Sequence, residues 1–382
     1  MATYIARDLA PKILEAQKFY PVTLITGARQ VGKSTLCKHL FPDYRFVNLE
    51  NISSRALAEA DPEAFLNSLG ETVIIDEVQN CPSLFSSIQA RVDADKSSRF
   101  ILTGSCHFGL RHHASQSMAG RVAVFNLPPL CFNEMREAVN YVDPSTDQLM
   151  YNGSYPGVIC DGIDPLTFYR NYYSTYIERD VRNLLQVGNL MKFDAFMRLL
   201  AGRCGSEMNA SSIATEVGVT SKTIAEWISI LVKSYIIFPL RPYSANISKR
   251  LTKMPKYYFY DTGLLCYLLG IEEASQLGTY PLRGAIFENM AVSELLKRRL
   301  NEARDSNLSF YREYSGREVD VLQTFPGEVR AFEIKSAQTF RPDLLKNLEY
   351  LREKVFKDTH LTTTLIYDGT SVPPNVLNIR DI

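Results

Sequence analysis

A chain of 382 residues, 46% hydrophobic and 22% charged, has the balance of a globular protein and length enough for two or three domains. Its 42 Lys and Arg equal its 42 Asp and Glu, which excludes a global field drawing it onto nucleic acid or an anionic membrane; any nucleic-acid site has to be a local patch. Seven cysteines without a Cys-x-x-Cys pair, no signal-peptide core, and no apolar run of membrane length (ISILVKSYIIFPL is short and holds Lys233) point to a reduced, cytoplasmic protein with no membrane partner.

In chain order, residues 4–19 suggest an amphipathic helix with Ile5, Leu9, Ile13 and Leu14 on one side, to which the sequence assigns no chemistry. Residues 22–26 are β-branched and apolar, the pattern of a strand buried on both faces. The strand runs into Gly27-Ala28-Arg29-Gln30-Val31-Gly32-Lys33-Ser34, which fits the phosphate-binding loop pattern at every required position. Gly27 and Gly32 permit the tight fold that turns backbone N–H groups inward, and the helix expected from Ser34 and Thr35 onward points its positive end at the same anion. Lys33 is expected to reach the β- and γ-phosphates of ATP and the Ser34 hydroxyl to hold Mg²⁺. The alternative is an ordinary glycine turn, which the flanking strand and helix argue against.

A second strand over 45–50 and two short helices within 53–69 lead to Thr72-Val73-Ile74-Ile75-Asp76-Glu77, strand-forming residues ending in two acids. Asp76 is expected to hold Mg²⁺ through water and Glu77 to polarise the attacking water. A helix over 82–92 precedes a polar-tipped strand at 99–105. Strands alternating with helices predict an α/β fold with a parallel sheet and its ligand at the strands' carboxyl ends. Thr103 or Ser105 is then placed to sense the γ-phosphate or the water; either can equally be a helix-capping hydroxyl. A fifth strand spans 122–127, and the preceding His112-His113 lacks acidic or cysteine company at metal spacing.

This order, with Thr103-Gly104-Ser105, Ala119-Gly120-Arg121 and Pro129-Leu130-Cys131-Phe132-Asn133-Glu134, resembles the prokaryotic AAA+ ATPases that carry "TGS", "AGR" and "PL-x-F-x-E" segments. Cys131 stands where that family usually has a small hydroxyl residue. The resemblance implies that Arg121 is an arginine finger acting on a neighbouring subunit's nucleotide, and hence a homo-oligomer. The alternative for the residue alone is one half of a surface ion pair. The ATPase domain is expected over 1–135.

Residues 136–192 read as a helical linker or lid. Phe168, Tyr172 and Tyr176 form an aromatic core stripe there, and Arg179 either completes a nucleotide site or locks two domains. Residues 193–261 fit a winged helix-turn-helix: a short helix, a turn at Gly218, a helix capped by Thr220 with Trp227 inward, then two strands flanking a wing. Seven Lys or Arg (222, 233, 241, 249, 250, 253, 256) face Glu226 alone, a candidate DNA-backbone footprint or a protein-contact wing.

In residues 262–382, Glu288 lies on a helix, Asp320 on the return strand of a hairpin, and Glu333 and Lys335 on one face of a third strand. Helix-Glu, strand-Asp and strand Glu-x-Lys resemble the PD-(D/E)xK nuclease fold. The resemblance implies a Mg²⁺ held by Glu288, Asp320 and Glu333, with Lys335 steadying developing charge. Two functions follow: an ATP-driven DNA-processing enzyme, or a nucleotide-switched binding protein whose nuclease-like fold is a silent docking platform.

Overall fold

The computed structural model describes residues 4–105, 118–138, 143–177, 190–244, 254–357, 359–369 and 374–382. Helix α1 (Ala10–Ala16) leads into β1 (Val22–Thr26), and α2 (Lys33–Leu40) follows the glycine loop. Strands β2 (Arg45–Asn48), β3 (Thr72–Asp76), β4 (Arg99–Gly104) and β5 (Val122–Asn126) complete a five-stranded sheet in the order β2-β3-β4-β1-β5. Every pairing in it is parallel. Parallel pairing requires crossovers, and α3 (Ile52–Ala60), α4 (Pro62–Leu69) and α5 (Leu84–Ala94) supply them. Successive side chains of the central strands bury into opposite cores: Ile25, Ile74 and Ile101 on one face, Leu24, Val73, Ile75 and Leu102 on the other. The continuous apolar runs of the sequence are therefore strands covered on both sides.

Helices α6 (Phe132–Arg136), α7 (Thr146–Asn152) and α8 (Pro165–Tyr172) form the linker region. A three-helix unit follows: α9 (Leu190–Gly202), α10 (Ala210–Val217) and α11 (Ser221–Lys233). The Thr220 hydroxyl caps α11 by accepting the Thr223 N–H, and α11 buries Ile224, Trp227, Ile228 and Leu231 as its periodicity predicts. β6 (Ile237–Pro242) and β7 (Lys256–Phe259) then pair antiparallel. The expected wing, with Lys249, Arg250 and Lys253, lies outside the described residues.

Helix α12 (Thr262–Leu268) leads to α13 (Arg283–Asn301) and then β8 (Leu308–Arg312), β9 (Glu318–Phe325), β10 (Glu328–Lys335), β11 (His360–Tyr367) and β12 (Val376–Asn378). These strands do not form a separate sheet. One seven-stranded sheet runs β12-β11-β10-β9-β8-β6-β7, because Arg241 and Pro242 pair in parallel with Ser309 and Phe310. The boundary expected at 261/262 thus runs through a shared sheet. The 19-residue α13 is buried over most of its surface and lies between the two sheets. Among the described residues no helix is long and apolar enough to cross a membrane.

Candidate functional site

The carboxyl ends of β1, β3 and β4 converge on the glycine loop. Gly27 has no room for a side chain, since a Cβ there would lie 2.3 Å from the Leu127 carbonyl oxygen. Gly32 takes φ +94°, a region that penalises any Cβ, immediately before α2 begins. Lys33 is buried, and its ammonium donates to the carbonyls of Gly27 (3.1 Å) and Ala28 (2.8 Å). Burial pushes that ammonium below the ordinary lysine range, while the charges of Glu77 and Asp76 pull it back up. A phosphate in the loop would supply the counter-charge that the carbonyls only partly replace.

Ser34 Oγ donates to both oxygens of Asp76, at 2.8 and 2.9 Å. The buried Thr103 hydroxyl donates to the same carboxylate. Ser105 Oγ donates to Glu77 Oε2 at 2.9 Å, and the Gln79 amide donates to that oxygen too. The sequence left Thr103 and Ser105 as alternatives; the two hydroxyls divide the work, one on each acid. Glu77 takes φ +56°, an uncommon conformation for a non-glycine residue, which turns its carboxylate off the strand end. A cavity of about 130 Å³ opens beside the loop, lined by Tyr4, Ile5, Thr35, Leu36, Pro156 and Asp161 among others.

The second cluster lies on the seven-stranded sheet. Lys335 Nζ sits 2.9 Å from Glu333 Oε1 and 3.5 Å from Asp320 Oδ2, which also accepts the Ile334 N–H at 2.7 Å. Glu288, from α13, accepts the Tyr258 hydroxyl at 2.6 Å and lies 3.7 Å from Lys256 Nζ. Lys256, with its side chain only 4% exposed, also pairs with Glu318. Burial, then the charge of Asp320, raises the carboxyls of Glu288 and Glu333 to about 7. Asp320 and Glu333 are thus together around Lys335, while Glu288 is held to one side by Tyr258 and Lys256. Among the described residues the three acids do not bring ligand atoms within 4.8 Å of one another; Asp8, Cys131 and Glu134 do. The Glu134 oxygens in that group are taken by Arg7, Asp8 N–H and Cys131 N–H, and burial pushes the Cys131 thiol up, so it stays protonated.

The family description "AAA domain" matches residues 20–136, and "Domain of unknown function (DUF4143)" matches 283–378. A further "Domain of unknown function (DUF8612)" matches 143–275. Uncharacterized proteins of Mycobacterium tuberculosis and Mycobacterium bovis are each 30% identical over 342 residues, covering 87% of this chain and 74% of theirs. The chain belongs to their family of AAA-domain proteins. Among solved structures, the Walker-type ATPase of Pyrococcus abyssi matches with 16% identity, 68% of this chain, 94% of that chain and a TM-score of 0.48.

Within the AAA domain, Arg121 stands apart from the loop. The register Val22 opposite Val122 and Thr26 opposite Asn126 puts Arg121 at the amino end of β5, the far edge of the sheet from Gly27. There its side chain, 36% exposed, pairs with Asp93 at 2.5 Å. It cannot serve its own subunit's phosphates from that edge. The basic footprint expected around the hairpin loses one member, because Lys256 is buried against Glu288 and Glu318 rather than facing solvent. Arg179 and the two histidines at 112 and 113 lie outside the described residues.

Two residues that bear on the AAA site escaped the sequence reading. Arg7, 5% exposed, donates to the Val31 carbonyl of the loop at 2.8 Å and to Glu134 at 3.0 Å. Tyr235, at φ +58° between α11 and β6, shares hydrogen bonds of 2.7 Å with Thr26 Oγ1 and Asn126 Oδ1. Arg7 precedes the helix, and no periodicity marks it as buried. No local pattern announces Tyr235.

Proposed function

We propose that this protein binds ATP with Mg²⁺ at the AAA domain, hydrolyses it, and uses the cycle to act on DNA through the hairpin unit and the C-terminal acidic cluster. The observation that carries the reading is the pair of neighbouring acids with divided partners: Asp76 on Ser34 and Thr103, Glu77 on Ser105 and Gln79. Gly27 to Thr35, with Ala28, Arg29, Gln30 and Val31 contributing backbone, hold the phosphates. Lys33 leaves its carbonyl partners for the β- and γ-phosphate oxygens. Ser34 and Asp76, both hard oxygen donors, fit Mg²⁺, which would neutralise phosphate charge. Glu77 accepts a proton from the attacking water, and Ser105 keeps its carboxylate aimed. The cavity bounded by Tyr4, Leu36 and Pro156 takes the nucleobase.

Glu77→Gln is expected to bind ATP as the wild type does and to lose turnover by on the order of 10²- to 10⁴-fold. Normal hydrolysis in that variant would show that another group is the base. Arg121→Ala is expected to bind ATP and hydrolyse it poorly, with mixed Lys33→Ala and Arg121→Ala subunits regaining activity at hybrid interfaces. Full activity in a strictly monomeric protein excludes the trans role.

For the C-terminal cluster, Asp320 and Glu333 would hold a divalent cation, Glu288 would join them by turning from Tyr258 and Lys256, and Lys335 would be the charge-stabilising partner. Glu333 Oε2 supports this: it is buried without a hydrogen-bond partner, and a cation there would satisfy it. Such an ion would supply water activation for phosphodiester cleavage. Lys256 on Glu288 favours the second reading, a nucleotide-switched protein with a silent nuclease-like fold, because a protein cation already serves that carboxylate. Incubation of several DNA and RNA forms with ATP and Mn²⁺ separates the two; cleavage lost in Lys335→Ala supports the first.

A further inference from the structure

Arg7 makes three hydrogen bonds to three different segments, all buried. Nη1 donates to the Val31 carbonyl at 2.8 Å, Nη2 to the Pro128 carbonyl at 2.6 Å, and Nε to Glu134 Oε1 at 3.0 Å. Glu134 is itself immobilised, accepting the Asp8 N–H at 2.8 Å and the Cys131 N–H at 2.9 Å. The pair has side-chain exposures of 4% and 0%, so neither charge is relieved by solvent. Such a pair survives burial only because the remaining donors and acceptors are used.

The bond that matters chemically is the one to Val31. In a planar trans peptide the carbonyl and the following N–H point in opposite directions. Holding the Val31 oxygen on Arg7, outside the loop, turns the Gly32 N–H the other way, toward the concave side where phosphate oxygens bind. Gly32 at φ +94° has no side chain to restrain this peptide, so an external clamp is needed to keep it from rotating. The fork geometry of a guanidinium suits the task, since one rigid plane spans the loop, the segment after β5 and Glu134.

We infer that Arg7, braced by Glu134, is a positioning residue that fixes the Val31–Gly32 peptide for binding of the nucleotide's β- and γ-phosphates. The inference rests on the ATP reading above. It also gives the Glu134 of the PL-x-F-x-E segment a purpose: it holds the clamp rather than a ligand.

Arg7→Ala would strand Glu134 as a buried unpaired charge and is expected to fold poorly. Arg7→Lys is the informative variant, because it keeps a positive charge beside Glu134 and loses the fork. Titration of the full chain with ATP, ADP and AMP, with thermal melting in parallel, provides the readout. Arg7 also borders the cavity beside the loop, so the expected result is a Kd for ATP and ADP raised about tenfold, a much smaller change for AMP, and a melting temperature close to the wild type's. In turnover, the larger part of the effect is expected in KM. Unchanged ATP affinity overturns the inference. So does a loss shared equally by AMP, or one that tracks a lowered melting temperature, because either would make Arg7 a base-site or purely structural residue. Wild-type protein that binds none of the three nucleotides would instead overturn the ATP reading itself.

Discussion

The two clusters of acids in this molecule are built to opposite electrostatic plans. In the AAA domain, Asp76 and Glu77 are held by neutral hydroxyls and an amide, and the nearby lysine rests on backbone carbonyls. On the proposed reading an arriving phosphate and its cation would meet groups that need little rearrangement: Lys33 would swing from carbonyl to phosphate, and the acids would keep their places. In the C-terminal cluster, Glu288, Asp320 and Glu333 face two lysines that already sit among them. A cation entering there competes with ammonium groups of the protein itself. The first site waits for charge, and the second has internal charge that must yield or be shared.

The sharpest way to break this comparison is Lys33→Ala. With the compact buried ammonium gone, the loop loses the charge placed to meet the phosphates, and ATP binding is expected to vanish in a calorimetric titration. Any stabilisation by Mn²⁺ in the absence of nucleotide should be unaffected, since the proposed ligands lie on α13, β9 and β10, away from the glycine loop. If Lys33→Ala also removed the Mn²⁺ response, the two clusters would be one coupled system and the contrast would fail.

Lys256→Met tests the second plan, at a smaller scale. Removing the buried ammonium leaves Glu288 with only the Tyr258 hydroxyl and Glu318 with only Arg312, and loss of one partner of a buried pair costs about 3–5 kcal/mol. Chemical denaturation without metal should register that loss. Mn²⁺ should then recover more stability in Lys256→Met than in the wild type, because the competitor for Glu288 is gone. An equal Mn²⁺ response in both proteins would mean that Lys256 does not compete with the ion.

Much of the first plan was legible from sequence, because its signals are local. The loop pattern, the apolar strand ending in Asp76-Glu77 and the polar tip at Thr103-Gly104-Ser105 each occupy a few consecutive residues, and the parallel sheet follows from their alternation. The second plan was half legible. Strand alternation put Glu333 and Lys335 on one face, and they do meet at 2.9 Å. By sequence Lys256 belongs to a basic footprint, because counting charges does not see the pairing of β6 with β8. That non-local pairing joins the hairpin to the C-terminal sheet and carries Lys256 and Tyr258 into the acids. Arg7 and Tyr235 were missed for the same reason: their partners stand far along the chain, at Glu134 and at Thr26.

The last test concerns pH and has the smallest expected effect. Glu288 and Glu333 are raised to about 7, chiefly by burial and next by the charge of Asp320. A raised carboxyl means the folded chain keeps protons that the unfolded chain releases from the ordinary glutamate range upward. Metal-free stability should therefore fall as pH rises from about 4.5 to about 7, and level off above that. A divalent ion must displace those protons, so Mn²⁺ should stabilise the protein at pH 8 and lose most of that effect at pH 6. The full chain is the right material, because a 262–382 fragment lacks β6, β7, Lys256 and Tyr258. Asp320→Asn keeps an acceptor for the Ile334 N–H but removes the charge that raises both neighbours. It should make the metal-free pH profile shallower, burial still holding both carboxyls up, and abolish the Mn²⁺ response together. A shallower profile with the Mn²⁺ response intact would move the ion away from Asp320 and leave the cluster as a set of internal ion pairs.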